Sequence, residues 1–207
     1  MPAHRSEAEA EIRVEVVRHL RAARPNARII HEINVCQGGN RIDVLAVDVE
    51  EIIAVEIKSK KDKIDRLPAQ MEAMTSVAHH SIAAIHEKFL VEWGPASSRA
   101  AHYDRETWGY PIRRRSLDPE WELDRLAKWS VPQAKMLESL PAGALDMLWR
   151  DELQWVCFAN QIAAGPRSTR GQMMHDLRWL CSGKELTRGI CAALRARQCG
   201  EADDPVP

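Results

Sequence analysis

The sequence predicts an α/β fold with a mixed β-sheet, followed by an α-helical region. Up to about residue 118, segments with helical apolar spacing alternate with short β-branched runs, in the order helix, three strands, helix, strand. Beyond residue 119 the apolar residues recur only at the helical period. We therefore expect an α/β unit over residues 1–118 and a helical accessory unit over residues 119–207.

Each element of the first unit has its own signal. Ser6 and Glu9 have capping-box spacing at the start of the first helix, Pro25 ends it, and Pro68 falls in or near the first turn of the second helix. The predicted elements are a helix over 6–24, strands over 27–35, 41–49 and 52–59, a helix over 62–79, a strand over 81–93 and a short strand over 108–112.

The second unit has a long segment of helical spacing over residues 143–162 and two further helix starts, at Thr169 and Ser182, each with capping-box spacing. Its tryptophans fall mostly on apolar helix faces and are expected to be core anchors, with base stacking as the alternative. These residues are Trp121, Trp129, Trp149, Trp155 and Trp179.

Composition excludes several classes of protein. The chain has 29 Lys and Arg residues against 30 Asp and Glu residues, so a nucleic-acid partner would need a local basic patch. It has no apolar run of membrane-spanning length and begins with a polar segment, so we expect a cytoplasmic protein without membrane association. The five cysteines and eight histidines have no spacing that indicates a disulfide framework or a zinc site.

The most informative stretch runs from Gly38 to Asp43 and continues, on the next predicted strand, with Glu56-Ile57-Lys58. If Glu50 and Glu51 form a two-residue link, residue 49 pairs with 52 and Asp43 lies opposite Lys58. Asp43, Glu56 and Lys58 then project from one face, with the two carboxylates diagonal and their Cβ atoms roughly 7 Å apart. Such a pair can share one small cation.

The third strand also has an unusual end. The apolar run over residues 52–55 is typical of a strand covered on both faces, yet it continues directly into charged residues. Burying those charges without partners would be costly, and perturbed groups of this kind gather at active sites. The alternative is that Glu56 and Lys58 pass into solvent at a strand end and pair with surface charges.

Asp43 followed by Glu56-Ile57-Lys58, after a Glu-bearing helix and before a basic segment, resembles the PD-(D/E)XK nuclease superfamily over roughly residues 6–93. Ile42 stands where the name of that superfamily has proline. The resemblance implies a restriction-endonuclease-like αβββαβ core. It also implies that Asp43, Glu56 and the main-chain carbonyl of Ile57 bind Mg²⁺, with Mn²⁺ as an alternative ion, while Lys58 orients or deprotonates the attacking water. Such a cation polarises the phosphate and lowers the pKa of bound water.

Members of the superfamily commonly add a glutamate from the first helix. Among the four candidates, Glu9 lies about 40° from the centre of the apolar stripe, and Glu15 and Glu11 lie farther round, so Glu9 is our candidate further ligand. Its alternative role is the reciprocal half of the capping box.

A post-motif element of several bacterial branches, Arg-Leu-x-x-Gln, is similar to Arg66-Leu67-Pro68-Ala69-Gln70, although Met74 replaces an aromatic residue there. The resemblance implies that Gln70 contacts a metal-bound water or the scissile phosphate; otherwise it is a surface amide. A basic run, at what we expect to be the amino end of a helix, suits a phosphate backbone unless it is only a solvated surface. The candidate nucleic-acid-binding residues are Arg41, Lys60, Lys61, Lys63 and Arg66.

Together these observations predict a Mg²⁺-dependent nuclease acting on DNA in bacterial or phage repair, recombination or defence, with Asp43, Glu56, Lys58, Glu9 and Gln70 as its catalytic residues. A homodimer would supply the two sites needed to cut both strands of a duplex. The alternative is a non-catalytic nucleic-acid-binding or protein-interaction module that retains the nuclease fold.

Overall fold

A computed structural model describes residues 6–35, 39–86, 89, 107–110, 131–134 and 138–206 of the chain. Its elements, in order, are α1 (Glu7–Ala23), β1 (Arg28–Val35), β2 (Asn40–Val47), β3 (Ile52–Lys58), α2 (Leu67–Thr75), β4 (His80–His86), β5 (Thr107–Tyr110), a 3₁₀ helix (Ala142–Met147), α3 (Arg150–Ala159), α4 (Arg170–Leu180) and α5 (Gly183–Ala196).

The five strands form one mixed sheet in the order β1-β2-β3-β4-β5. The first three strands are antiparallel neighbours, and β4 and β5 continue the sheet in parallel with β3. The chain therefore has the mixed α/β architecture that the sequence predicts, with helices following the sheet. The crossover from β3 to β4 passes through α2, as a parallel pair requires.

The predicted register of the β2–β3 hairpin is wrong by two residues. Val47 pairs with Ile52, and the turn contains four residues, 48–51, closed by a 2.8 Å hydrogen bond from the Asp48 N–H to the Glu51 carbonyl. The Asp48 carboxylate also accepts a hydrogen bond from the N–H of Val49, so this side chain stabilises the longer turn. Continued toward the other end of the hairpin, the register places Asp43 opposite Glu56 rather than opposite Lys58.

Along β1 and β2, the regular alternation of side chains between the two faces of the sheet is interrupted at one cross-strand pair. Ile30 and Ile33 on β1 pack in the same apolar cluster although they are three positions apart, and so do Ile42 and Leu45 on β2. Between them Glu32 adopts a positive φ of 58°, a conformation that side chains other than glycine rarely take. The interruption turns polar residues of both strands toward α1.

The sheet is covered on both faces, which explains why β3 is buried along its whole length. On one face Ile12, Val16 and Leu20 of α1 pack against β-sheet residues such as Val44 and Val55. On the other face α2, the 3₁₀ helix and α3–α5 form a single core cluster with the sheet. The C-terminal helices therefore bury their apolar sides directly against the sheet.

The C-terminal segment is also fastened to the edge strand. The Arg28 guanidinium is buried and donates to the carbonyls of Leu194 and Arg195 at 2.8 and 2.9 Å. Beyond α5, Ala202 forms an antiparallel bridge with Ile30. These contacts cover part of the exposed edge of β1.

Several element boundaries differ from the predicted ones. Helix α2 begins at Leu67 rather than at residue 62, with Pro68 in its first turn, as expected. Strand β4 ends at His86, and Phe89 is helical, so the predicted strand over 81–93 is too long; its remaining residues lie outside the described part of the chain. The segment over 143–162 divides into the 3₁₀ helix and α3. The boundary between residues 118 and 119 also lies outside the described residues, as does residue 112 beyond β5.

The predicted helix caps are present. Ser6 accepts a hydrogen bond from the N–H of Glu9, Thr169 accepts one from Gln172, and Ser182 forms a complete capping box with Glu185.

The tryptophans of the second unit are not core anchors where the structure describes them. Trp149 and Trp155 are half exposed and Trp179 is exposed, because each lies on the outer side of the helices that pack on the sheet. Trp121 and Trp129 lie outside the described residues. Apolar spacing alone assigned these large side chains to the wrong side of their helices.

No helix in the described segments is both long and apolar enough to cross a membrane.

Candidate active site

A polar cleft of about 540 Å³ opens where β2 and β3 end beside the amino end of α2. The catalytic and metal-binding residues predicted from the sequence all line it. Its lining consists of Glu9, Asn34, Gly39, Asn40, Arg41, Asp43, Glu56, Ile57, Lys58, Asp62, Arg66, Ala69 and Gln70.

Glu56 is the most buried carboxylate of the cleft, with 2% of the residue exposed. Two donors converge on its Oε1 atom: the Lys58 ammonium from the same strand and the Gln70 amide from α2. The covering of β3 by α2 places Gln70 over the end of the strand, so Gln70 is part of the cleft rather than a surface amide. Lys58 is itself buried, and its charge is balanced by Glu56.

Two oxygen atoms of this group have no hydrogen-bond partner among the described residues. They are Oε2 of Glu56 and Oε1 of Gln70, and both are buried. Buried acceptors without a partner are uncommon in folded proteins and call for a specific explanation, such as a bound ion or water. Glu56 and Gln70 therefore bring unsatisfied acceptor atoms to the cleft.

Asp43 connects the two strands at the point where their backbone ladder ends. Its Oδ2 atom accepts a 2.7 Å hydrogen bond from the N–H of Ile57, and its Oδ1 atom lies 3.8 Å from the Arg13 guanidinium. The first contact holds the carboxylate of Asp43 against the segment that contains Glu56, Ile57 and Lys58.

Burial raises the pKa values of both carboxyl groups. The pKa of Asp43 rises to about 6, because desolvation outweighs the hydrogen bond from Ile57 and the charge of Arg13. The pKa of Glu56 rises to about 7, first through desolvation and second through repulsion from Asp43. A cation placed between the two groups would relieve both effects.

Arg13 on α1 organises a second set of acidic side chains at the same end of the sheet. Its guanidinium donates to Glu9 at 2.7 Å and to Glu32 at 2.9 Å, and it also donates to the main-chain carbonyl of Asp43. It also lies 3.2 Å from Nδ1 of His31, so this histidine approaches the site from β1. Glu9 thus faces the cleft, as its helical position predicts, and Arg13 is its closest described partner.

Arg13 and Glu32 were not singled out by the sequence. The available signals were the spacing of four residues between Glu9 and Arg13 and the polar pair His31-Glu32 within a β-branched run. The positive φ of Glu32, which aims its carboxylate at Arg13, had no sequence signal because glycine usually occupies such positions.

The candidate nucleic-acid-binding residues are exposed around the cleft. Arg41 and Arg66 line it, and Arg41 also contacts Glu32 at 2.7 Å. Lys60, Lys61 and Lys63 precede α2 in a turn instead of forming the start of the helix, which is a correction to the predicted position. Asp62 is used inside that turn, where its carboxylate accepts hydrogen bonds from the main chain and hydroxyl of Ser59.

The acceptor side chains of the cleft described above carry oxygen atoms: the carboxylates of Asp43 and Glu56 and the amide oxygen of Gln70. Oxygen ligands of this type suit Mg²⁺ or Mn²⁺ rather than Zn²⁺. In the described part of the chain, no group of three or more His, Cys, Asp and Glu side chains is arranged to hold a metal ion. The cation-compatible feature is therefore the mixed oxygen set around Glu56.

Residues 2–94 are similar to a protein family described as Bacteriophage P4 protein cII. The matching segment contains every residue of the cleft. No curated protein and no solved structure shows a significant match to the chain.

Proposed function

We propose that the chain is a divalent-metal-dependent nuclease that hydrolyses phosphodiester bonds in DNA. The observation that carries the proposal is the pair of buried, unpartnered oxygens, Oε2 of Glu56 and Oε1 of Gln70, beside the carboxylate of Asp43. A divalent cation would satisfy Oε2 of Glu56 and favour the charged forms of the two carboxyl groups, whose pKa values burial raises. A water bound beside the cation would satisfy Oε1 of Gln70.

The residues present fit such an ion. Asp43, Glu56 and the carbonyl of Ile57 would hold it, with Glu9 as a further ligand, and Mn²⁺ would fit as Mg²⁺ does. When bound, the ion would polarise phosphate oxygens and lower the pKa of a coordinated water.

The remaining steps belong to side chains of the chain itself. Lys58 carries a buried ammonium at the cleft, where it would orient the attacking water and offset charge on the phosphate. Gln70, fixed by its hydrogen bond to Glu56, would direct its free oxygen toward a water proton. The main-chain bond from Ile57 would keep Asp43 in place throughout the reaction.

Two further observations support the proposal. The order α1-β1-β2-β3-α2-β4, with an antiparallel meander followed by a parallel strand, is compatible with a restriction-endonuclease-like core in residues 1–118 and a helical accessory region in residues 119–207. Exposed Lys60, Lys61, Lys63, Arg41 and Arg66 supply the positive charge that a DNA backbone needs. The similarity to a phage family favours a role in phage or bacterial DNA repair, recombination or defence, and a homodimer would cut both strands.

A second candidate function is a DNA-binding or protein-interaction module that keeps this fold without catalysis. The absence of a preformed three-residue metal cluster in the described residues favours it. Incubating the protein with duplex, nicked, flapped and four-way DNA separates the two functions. Cleavage with Mg²⁺ or Mn²⁺ that stops with chelator supports the nuclease, whereas unchanged binding without cleavage in either condition supports the module.

A further inference from the structure

A second cleft lies beside the candidate active site, on the other side of strand β1. It has a volume of about 500 Å³ and is enclosed between β1 and the beginnings of α3 and α4. Asn34 lines both clefts, so the two open onto the same stretch of the edge strand. A chain molecule bound in one cleft can therefore continue into the other.

Two arginines of the second cleft occupy unusual positions. Arg150 and Arg170 are the first residues of α3 and α4. A cation at a helix amino terminus opposes the helix dipole, and capping statistics favour acidic residues there. The helix dipole therefore does not account for their placement.

Both guanidinium groups are held in place by main-chain carbonyls. Arg150 donates to Pro166 and Ser168 at 2.7 and 3.1 Å. Arg170 donates to Asp146 and Leu148 at 2.8 and 2.9 Å. Neither arginine forms an ion pair with a carboxylate in the described residues, so their positive charges remain available.

The third arginine of the cleft has a structural role. Arg197 is buried, forms an ion pair with Glu152 at 2.5 Å, and lies 4.4 Å above the ring of Trp149. It supports the wall of the cleft. Glu32 and Asp146 also line the cleft; Glu32 is bound by Arg13 and Arg41, whereas Asp146 is an acidic group that an anionic ligand would have to tolerate.

We propose that the second cleft, through Arg150 and Arg170, binds backbone phosphates of the DNA strand that flanks the candidate active site. The inference rests on the proposed function and extends it, because it assigns to the C-terminal helices a part of the substrate path. Phosphate contacts of this kind position DNA without reading its sequence. The ligand chemistry is the phosphodiester backbone, supplied by single-stranded or duplex DNA.

The test measures binding of a fluorescein-labelled 30-nucleotide DNA, single-stranded and as a duplex, by anisotropy in chelator, so that no cleavage occurs. The double variant Arg150→Gln/Arg170→Gln should weaken binding to at least one probe about tenfold and reduce the slope of log K against log salt by about two. The probe that responds identifies the form of DNA that enters the cleft.

The matched control removes the same charge nearby. Arg178 lies on α4 and donates to a carbonyl, and Arg167 is exposed before α4, but neither lines a cleft. The double variant Arg167→Gln/Arg178→Gln should change the affinity less than twofold. An equal effect of both double variants would show a general charge effect and overturn the inference.

A variant that is expected to bind DNA more tightly controls for misfolding, because a misfolded protein would not gain affinity. Asp146→Asn removes an acidic residue that lines the same cleft and should tighten binding severalfold; unchanged binding counts against the inference. Arg41→Gln/Arg66→Gln tests the first cleft separately, because both residues line it. If this variant loses affinity while Arg150→Gln/Arg170→Gln does not, the second cleft is excluded and the proposed function stands. If the unaltered protein binds neither probe, both proposals fail.

Discussion

The carboxylate of Asp43 accepts the main-chain N–H of Ile57 at 2.7 Å, and this bond joins β2 to β3 beyond their last backbone pair. It places an acidic side chain beside the end of a strand that is buried along its length. The nearby Glu56 is buried, and desolvation together with the charge of Asp43 raises its pKa to about 7. This geometry therefore brings two buried carboxyl groups with raised pKa values together in the cleft.

The raised pKa of Glu56 predicts a pH-dependent stability. The folded protein binds the proton more tightly than the unfolded chain between pH 4.5 and 7, so the contribution of Glu56 is largest below pH 4.5 and is lost as the pH rises to about 7. As the pH rises from 4.5 to 7 in chelator, the free energy of unfolding of Glu56→Gln should therefore increase by on the order of 3 kcal/mol relative to that of wild type. Urea unfolding at several pH values measures this difference. Glu72→Gln, at an exposed position on α2, is the control, and a flat result for Glu56→Gln would contradict the assigned burial effect.

Arg13 should be required for folding stability at neutral pH. Its loss removes the guanidinium that Glu9, Glu32 and Asp43 share, and breaking a buried ion pair by removing one partner costs about 3–5 kcal/mol. Arg13→Met should lower the free energy of unfolding by that amount at pH 7 and by less at pH 4.5, which lies below the pKa of about 6 of Asp43. Arg18→Met, on the exposed side of the same helix, is the control. Equal stability of the two variants would show that Arg13 does not neutralise this cluster.

Glu32 is expected to carry backbone strain at its φ of 58°. Glycine adopts this conformation freely and alanine does not, so Glu32→Gly should be more stable than Glu32→Ala by roughly 1 kcal/mol. Gln161, with a φ of 60° after α3, provides a comparison outside the cleft and should give the same order. Thermal unfolding measures both pairs. If Glu32→Ala and Glu32→Gly are equally stable, the backbone at residue 32 relaxes in the alanine variant.

Gln70 should contribute both to catalysis and to folding stability. Its amide donates to the buried Glu56 carboxylate, and a hydrogen bond to a charged group contributes about 1.5–3 kcal/mol. Gln70→Leu should lower the cleavage rate roughly 10- to 100-fold. Gln172→Leu is the matched control, because Gln172 also donates to a carboxylate, at 2.8 Å, but on an exposed helix face. If Gln70→Leu cleaves DNA at the wild-type rate, Gln70 has only a packing role.

Much of the α/β unit could be predicted because its signals are local. Apolar periodicity located α1 and the first three strands to within about two residues, and the capping residues Ser6, Thr169 and Ser182 act within one turn. The predicted convergence of Asp43, Glu56 and Lys58 survived an error of two residues in register, since a shift by two preserves the face of a strand.

The remaining features depend on contacts between distant segments. The four-residue turn over 48–51 is closed by the hydrogen bond from the Asp48 N–H to the Glu51 carbonyl. Strand periodicity does not specify this bond. The strained Glu32 is fixed by Arg13 from another element. Trp155 is half exposed because the opposite side of α3 packs on the sheet, and the period of the helix alone does not say which side that is.

We propose that Asp43 belongs to a metal-dependent catalytic cleft. The most direct test compares DNA cleavage by wild type, Asp43→Asn and Asp65→Asn in Mg²⁺, since Asp65 is an exposed acid outside the cleft. All three proteins should fold, and circular dichroism checks this. We expect cleavage by wild type and Asp65→Asn and none by Asp43→Asn, whereas undiminished metal-dependent cleavage by Asp43→Asn would contradict the account.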